Sequence, residues 1–92
     1  MQRIEHVGRI TLDDGGMLEL KDYYASSVGE GNLRRFSRDG ALVWTAQLGD
    51  PQLGHYVSAE EHQNRIFVQS FDCFRIELDP TTGAILSQQF TK

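Results

Sequence analysis

Apolar and polar residues alternate along most of the chain, which is the period-two pattern of β-strands. Leu18 and Leu20 share one side of their segment, and Phe74, Ile76 and Leu78 share one side of a later segment. No window keeps the i, i+3, i+4, i+7 spacing of a helix over about ten residues. We predict an all-β, antiparallel fold of seven or eight short strands. Another segment places four apolar residues on one face: Leu42, Trp44, Ala46 and Leu48.

Three turn sequences divide these strands into hairpins. Asp13–Gly16, Ser37–Gly40 and Asp79–Gly83 each combine Asp or Ser with glycine, which supplies the positive φ that a tight reversal needs. In the third turn, Pro80 presets φ at the first corner, and Asp79 can accept hydrogen bonds from the backbone beyond it. We therefore predict strand reversals at these three positions.

The second and third turns belong to an internal repeat. Gly40 and Gly83 are 43 residues apart, and Ala41-Leu42-Val43 after the first glycine aligns with Ala84-Ile85-Leu86 after the second. A period of about 40–45 residues, with about four strands per unit, is typical of a β-propeller blade. We predict a single domain over residues 1–92, with one blade-like four-stranded unit at about 3–48 and another at about 55–90.

Two segments carry a more specific pattern, Asn32–Trp44 and Phe74–Leu86. Both resemble the closing hairpin of blades in the pyrroloquinoline-quinone-type (quinoprotein-like) β-propellers, and the second is the closer match because Leu78-Asp79-Pro80 precedes Thr82-Gly83. In that family a tryptophan follows the turn and docks between blades. Trp44 stands at that place in the first unit and Ser87 in the second. The resemblance concerns a hairpin type and implies neither an activity nor cofactor residues.

Two units are too few for a closed propeller, which uses roughly four to eight blades. Either several copies assemble into a ring as a homo-oligomer, or the two units pack face to face as a sandwich or a strongly bent sheet. The second arrangement buries the apolar faces within one chain, and we expect it. The charged residues Arg3, Glu5 and Arg9 of the first strand can protect an exposed sheet edge.

Composition narrows the class of protein. With 39% hydrophobic and 24% charged residues among 92, the chain is too apolar for intrinsic disorder and too mixed for a membrane span. Nine Lys and Arg against thirteen Asp and Glu give a net charge of −4, which disfavours nucleic acid or anionic lipid as a partner. The single cysteine, Cys73, cannot form an internal disulfide, and the first residues carry no export signal. We expect a cytoplasmic protein.

Residues that could catalyse a reaction or bind a metal are scattered. His55 and His62 lack a further ligand at the spacing of zinc sites, and Cys73 has no neighbouring histidine to activate it. In the pairs Asp13-Asp14 and Glu60-Glu61, adjacent side chains point apart. We predict no metal, no cofactor and no enzymatic activity; an enzyme is the alternative if distant residues converge in the fold.

The basic cluster of Arg34, Arg35 and Arg38 has a structural interpretation. Strand alternation sends Arg34 and Arg35 to opposite faces, which spoils a single phosphate-binding surface. Arg34 shares a face with Phe36 and can lie flat on its ring. We expect an ion-pair or cation–π role within the fold rather than RNA binding.

The remaining candidates belong to a protein-binding surface. Exposed tyrosines are enriched at interfaces, and residues 47–92 carry most of the negative charge, which can attract a basic surface. We predict a non-enzymatic binding protein of the immunity or inhibitor type that occludes a protein partner, such as a toxin or effector with a basic surface. The alternative is a self-assembling propeller-like ring of copies that binds a small ligand such as a sugar. The predicted partner-binding residues are Tyr23, Tyr24, Asp50, Tyr56, Glu60 and Glu61.

Overall fold

The computed structural model describes residues 2–21, 32–46, 56–71 and 74–90. These ranges form nine strands and no helix, which confirms the all-β class. The strand number exceeds the predicted seven or eight because the N-terminal segment forms two strands that join different sheets. The strands are β1 (Gln2–Glu5), β2 (Gly8–Thr11), β3 (Met17–Leu20), β4 (Leu33–Phe36), β5 (Leu42–Thr45), β6 (Tyr56–His62), β7 (Arg65–Ser70), β8 (Phe74–Leu78) and β9 (Ile85–Phe90).

The strands form two antiparallel sheets. The four-stranded sheet has the order β2-β3-β4-β5, and the five-stranded sheet has the order β1-β6-β7-β8-β9. Ile4 of β1 pairs with Ala59 of β6, and both residues are buried. The chain then turns through His6, whose φ is 66°, and enters the other sheet at Gly8. The N-terminal strand therefore completes the second unit, whereas the repeat boundaries placed residues 3–5 in the first.

The three predicted turns connect β2 to β3, β4 to β5 and β8 to β9. In the last, the Asp79 carboxylate accepts a hydrogen bond from the Thr81 amide at 2.7 Å, as predicted. A fourth reversal joins β6 to β7 through a loop of two residues. Gln63 and Asn64 both have positive φ, 52° and 63°, the conformation of a two-residue type I′ hairpin turn.

One core cluster joins the two sheets, as the face-to-face arrangement requires. The four-stranded sheet contributes Leu18, Leu20 and Leu33, all at most 1% exposed. The five-stranded sheet contributes an equally buried surface on β7 and β8. Burying each such side chain stabilises the fold by about 1.5–3 kcal/mol. The complete cluster is Ile4, Leu12, Leu18, Leu20, Leu33, Trp44, Ala46, Tyr56, Ala59, Ile66, Val68, Ile76 and Leu78.

A buried amide ties the two sheets together beside this core. The side-chain nitrogen of Asn32 donates hydrogen bonds to the carbonyl oxygens of Lys21 (2.9 Å) and Tyr56 (2.7 Å). Its side-chain oxygen accepts a hydrogen bond from the Tyr56 amide at 3.0 Å. Asn32 therefore links the end of β3 and the start of β4 to the start of β6, and satisfies backbone groups that burial would otherwise leave unpaired.

A β-bulge interrupts the alternation predicted for residues 42–48. Arg35 pairs with Trp44 but Phe36 pairs with Leu42, so Val43 is an extra residue. Leu42 is consequently 53% exposed while Trp44 and Ala46 are buried, and the expected common face is wrong for Leu42; Leu48 lies outside the described residues. The five-stranded sheet has the same irregularity, because Leu78 pairs with Ile85 and Glu77 with Ser87. The extra residues, Val43 and Leu86, are aligned in the sequence repeat.

Candidate functional site

The structure describes only some of the predicted partner-binding residues. Tyr23, Tyr24 and Asp50 lie outside the described residues, as do His55 and Cys73. Among the described residues, no three His, Cys, Asp or Glu side chains cluster as metal ligands. The placements of Tyr56, Glu60 and Glu61 are described, and each differs from the exposed position that a partner contact requires.

Tyr56 belongs to the core. It is 1% exposed, and burial raises its pKa to about 12. Its ring therefore stabilises the packing of the two sheets and offers no surface to a partner, which corrects the expectation of an exposed anchor. The sequence did not indicate that Tyr56 is buried, for two reasons. The strand begins at Tyr56 with an irregular register, and strand alternation does not reveal which face of a strand is covered.

Glu60 and Glu61 point to opposite faces of β6. The Glu61 side chain is buried at 6% exposure, and its carboxylate accepts a hydrogen bond from the Asn64 amide at the β6–β7 turn, at 3.3 Å. Glu60 lies on the solvent side but forms an ion pair with Arg75 at 2.6 Å. The expectation that both carboxylates are free to bind a partner is therefore corrected: Glu61 supports a turn, and Arg75 offsets the charge of Glu60.

Glu60 is part of a charged layer on the outer face of the five-stranded sheet. The Arg65 and Arg75 guanidinium groups lie 5.1 and 4.7 Å from the centre of the Phe67 ring. Arg65 also forms two hydrogen bonds of 3.0 Å with Glu77, which raise the pKa of Arg65 and lower that of Glu77. Phe67 is thus covered by two arginines on this face of the sheet. This face is polar and neutralised by its own ion pairs.

The outer face of the four-stranded sheet has a similar ion ladder. Glu19 of β3 bridges Arg9 (3.2 Å) and Arg34 (2.6 Å) on its two neighbouring strands. The hydrogen bond from Arg34 is the main reason that the pKa of Glu19 is lowered. The Arg34 guanidinium also lies 5.1 Å from the centre of the Phe36 ring. The predicted separation of Arg34 from Arg35 and its stacking on Phe36 are confirmed.

An apolar corner adjoins this ladder, at the end of the face near the β4–β5 turn. Met17 pairs with Phe36 across β3 and β4, and Phe36 pairs with Leu42 at the edge strand. Met17 and Phe36 are partly exposed, and Leu42 is exposed. We call these three residues the apolar corner. Strand alternation in the sequence does not reveal this corner, because the bulge at Val43 is what brings Leu42 to this face.

The junction between the sheets is built around Trp44, as the resemblance implied. The indole nitrogen donates a hydrogen bond to the Pro80 carbonyl oxygen at 2.9 Å, and Arg35 donates to the same oxygen. The ring lies against the Cα of Gly83, where a Cβ would approach the indole to 2.6 Å. Arg35 also donates a hydrogen bond to the Asp14 carboxylate at 2.8 Å. The pKa of Asp14 is lowered chiefly by a hydrogen bond from the Gly16 amide and further by the one from Arg35. Trp44 therefore docks between the units.

An open pocket of about 340 Å³ lies beside this junction. Its two arginines face a single carboxylate, and Arg35 is already engaged with Asp14 and the Pro80 carbonyl. The arrangement contains no carboxylate with a raised pKa that could act as a general acid. The lining residues are Asp14, Arg35, Ser37, Arg38, Val43, Pro80 and Thr81.

The shared turns relate the two sheets residue by residue. The cross-strand pair Val68–Ile76, buried on β7 and β8, corresponds to the pair Glu19–Arg34 on β3 and β4. In the other direction, the buried pair Leu20–Leu33 corresponds to the solvated pair Gln69–Arg75. The sheets thus pack head to tail, each using a different face. At these positions the outer faces carry polar pairs, Glu19–Arg34 on one sheet and Gln69–Arg75 on the other.

Comparison with known proteins agrees with blade-like units. The crystal structure of BamB from Moraxella catarrhalis, a β-propeller protein similar to the pyrroloquinoline-quinone class, matches with a TM-score of 0.59 and 19% sequence identity. The match covers 86% of this chain and 21% of BamB, so the chain spans about a fifth of that protein, and at this identity the likeness concerns the fold alone.

The remaining findings concern curated proteins, membrane-spanning helices and the protein family. No curated protein matches the chain. No helix in the described ranges is long and apolar enough to cross a membrane. A family model, described as a domain of unknown function, matches residues 4–90. Because this match covers nearly the whole sequence, the chain belongs to the DUF7957 family.

Proposed function

We propose that the chain is a non-enzymatic binding protein that acts by covering a surface of a protein partner. One observation carries the proposal: the two outer faces differ in how far their apolar side chains are covered. The outer face of the five-stranded sheet covers Phe67 with two arginines. The outer face of the four-stranded sheet stacks one arginine, Arg34, on Phe36 and leaves Met17 partly exposed and Leu42 53% exposed. Partly exposed apolar groups rimmed by charged residues are typical of protein interfaces.

The carboxylates support a binding role over catalysis. Asp14 and Glu19 have lowered pKa values, chiefly because each accepts hydrogen bonds that favour the ionised form. Glu77 is lowered for the same reason. A general acid at neutral pH needs a raised pKa. These groups therefore hold the sheets' surfaces in place, and we assign them no proton transfer.

An immunity or inhibitor role is the specific form of this proposal. The net charge of −4 favours a basic partner surface, such as that of a toxin or effector. Because Glu60 is paired and Glu61 is buried, the electrostatic attraction rests on the overall charge rather than on those two residues. Tyr23, Tyr24 and Asp50 stay predictions as contact residues, and the cytoplasm stays the predicted compartment.

A ring of copies is the second candidate, and the head-to-tail packing of the two sheets favours it, since repeated use of such a contact can generate a ring. The outer residues oppose it. Arg75, Gln69 and Ser87 occupy the positions that Leu33, Leu20 and Trp44 hold at the covered junction. Polar outer faces are characteristic of terminal units in repeat proteins. Light scattering separates the candidates, because a monomer at all concentrations contradicts the ring.

Site-specific photo-cross-linking tests the binding role. A benzophenone amino acid placed at Leu42, which is 53% exposed, samples the apolar corner; the same group at Leu86, 57% exposed on β9, is the matched control. In cells that express the chain at its natural level, we expect a discrete adduct with another protein from Leu42 and none from Leu86. Absence of a discrete adduct from Leu42 contradicts the proposal, and equal adducts from both positions contradict its location.

A further inference from the structure

The chain contains two related turns that each close on a glycine with positive φ, Gly83 and Gly40, and the turn at Gly83 shows what such a glycine can contact. In the β8–β9 turn, Asp79 and Gly83 are joined by a 2.8 Å hydrogen bond from the Gly83 amide to the Asp79 carbonyl, and φ of Gly83 is 75°. Trp44 of the neighbouring sheet lies flat on this glycine, and its indole nitrogen donates to the carbonyl of Pro80. Absence of a side chain at Gly83 is what allows the ring to lie there.

The β4–β5 turn is one residue shorter, but it also ends in a glycine with positive φ whose amide bonds back to the first residue of the turn. The Gly40 amide donates to the Ser37 carbonyl at 2.9 Å, φ of Gly40 is 89°, and the Ser37 amide donates to Ala41 at 2.8 Å as Asp79 does to Ala84. Among the described residues, no heavy atom lies within 4 Å of the position where a Cβ on Gly40 would stand. The surface that carries an indole at Gly83 is open at Gly40.

The residues beside Gly40 indicate what would cover it. Phe36 corresponds to Leu78, which is buried next to the occupied turn, and Phe36 is partly exposed together with Met17 and Leu42. The apolar corner thus continues from the open glycine in the same way that the core continues from Gly83. Further along the face, the Glu19–Arg34 pair replaces Val68–Ile76, so a partner must present polar groups there.

A second copy of this chain does not supply the missing ring. The strand position that would face the open turn from another copy is Ser87, where the first unit has Trp44. An occupant of the open turn must therefore carry the indole itself. We propose that the Gly40 turn and the apolar corner form a docking site for a tryptophan presented on an edge strand of a partner protein. This inference rests on the proposed binding role and adds the residue that the partner contributes.

The first test uses the wild-type chain and a small probe. In amide NMR spectra, N-acetyltryptophanamide should produce saturable shifts at Gly40 and Ala41, while N-acetylleucinamide at the same concentrations should not. The Gly40→Asn variant places a side chain over the turn, so the shifts caused by N-acetyltryptophanamide should be lost in this variant. Asparagine is used because it tolerates positive φ better than most residues. Absence of saturable shifts at Gly40 in the wild type overturns the inference, as do shifts that persist in the variant.

The second test supplies the indole in the geometry of the occupied junction. Ser87→Trp should make purified protein associate head to tail with increasing concentration in sedimentation velocity, and adding Gly40→Asn should weaken this association at least about tenfold, or about 1.4 kcal/mol. Gln89→Trp, on the same face but two residues away, is the control and should stay monomeric. A monomeric Ser87→Trp, or association unchanged by Gly40→Asn, overturns the inference. Neither test involves the natural partner, so their failure leaves the cross-linking result at Leu42 to decide the binding role separately.

Discussion

Val68 and Ile76 occupy the same strand positions in the five-stranded sheet as Glu19 and Arg34 in the four-stranded sheet, and the two pairs lie in opposite environments. The first pair lies in the core between the sheets, whereas the second forms a 2.6 Å ion pair on an outer face. The backbone pairing is the same in both. The comparison shows that one hairpin framework serves either environment, and that the side chains indicate which face has a neighbour.

Exchanging these equivalent residues has the largest expected effect. Val68→Glu places an unpaired carboxylate in the core, and we expect a loss of about 4 kcal/mol or more in the free energy of unfolding, which is a large part of a small domain's stability. Urea denaturation measures the loss. Glu19→Val is the matched change, and we expect about 1 kcal/mol or less because the face is solvated. If both variants lost the same free energy of unfolding, the result would contradict a solvated position for Glu19.

The two turn glycines give the next largest difference. Gly83→Ala and Gly40→Ala share a left-handed φ, 75° and 89°, and this strain costs about 1–2 kcal/mol in each. Gly83→Ala must also displace Trp44, because the new Cβ would lie 2.6 Å from the ring, so we expect a total loss of about 3–5 kcal/mol. Thermal unfolding of both variants measures the difference. Equal losses would show that Trp44 contributes little to the junction.

Alkaline pH should loosen the covered face through Tyr56. Its pKa is raised to about 12 in the folded protein, so its contribution is fully present below pH 10, the ordinary tyrosine value, and is lost as pH rises towards 12. The loss should amount to about 1–3 kcal/mol. Denaturation of wild type and Tyr56→Phe on both sides of pH 10 measures it. A Tyr56→Phe profile as steep as that of the wild type would assign the alkaline loss to other groups.

Acid should weaken the solvated face, with a smaller effect. The pKa of Glu19 is lowered chiefly by the hydrogen bond from Arg34, so its contribution is present above 4.5, the ordinary glutamate value, and is lost as pH falls through the lower folded value. We expect about 1 kcal/mol. Glu19→Gln should flatten the acid limb of the stability profile by that amount, leaving the slope due to other carboxylates. An unchanged acid limb would mean that the Arg34 contact is too weak to matter.

Local features were predictable because they depend on neighbours in the sequence. Glycine with Asp or Ser identified the three turns, and period-two alternation placed Arg34 beside Phe36 and away from Arg35. Trp44 was identified through the resemblance to propeller blades, in which a tryptophan follows the turn and docks between blades. The candidate site was less predictable, since the apolar corner depends on a bulge that moves Leu42 to the other face. No local pattern indicated that extra residue.

By itself, the sequence determined the strands, their reversals, the repeat with its 43-residue spacing and the absence of an obvious catalytic motif, because turn geometry and side-chain alternation are local properties of the backbone. The tertiary structure decided which face of each strand is covered. Tyr56 is buried because it lies in the cluster that joins the two sheets, and Glu60 is paired because β8 of the same sheet places Arg75 beside it. It also decided that one of two similar turns holds an indole while the other is open. Such differences arise from contacts between residues far apart in the chain, and alternation cannot tell which of two faces will acquire them.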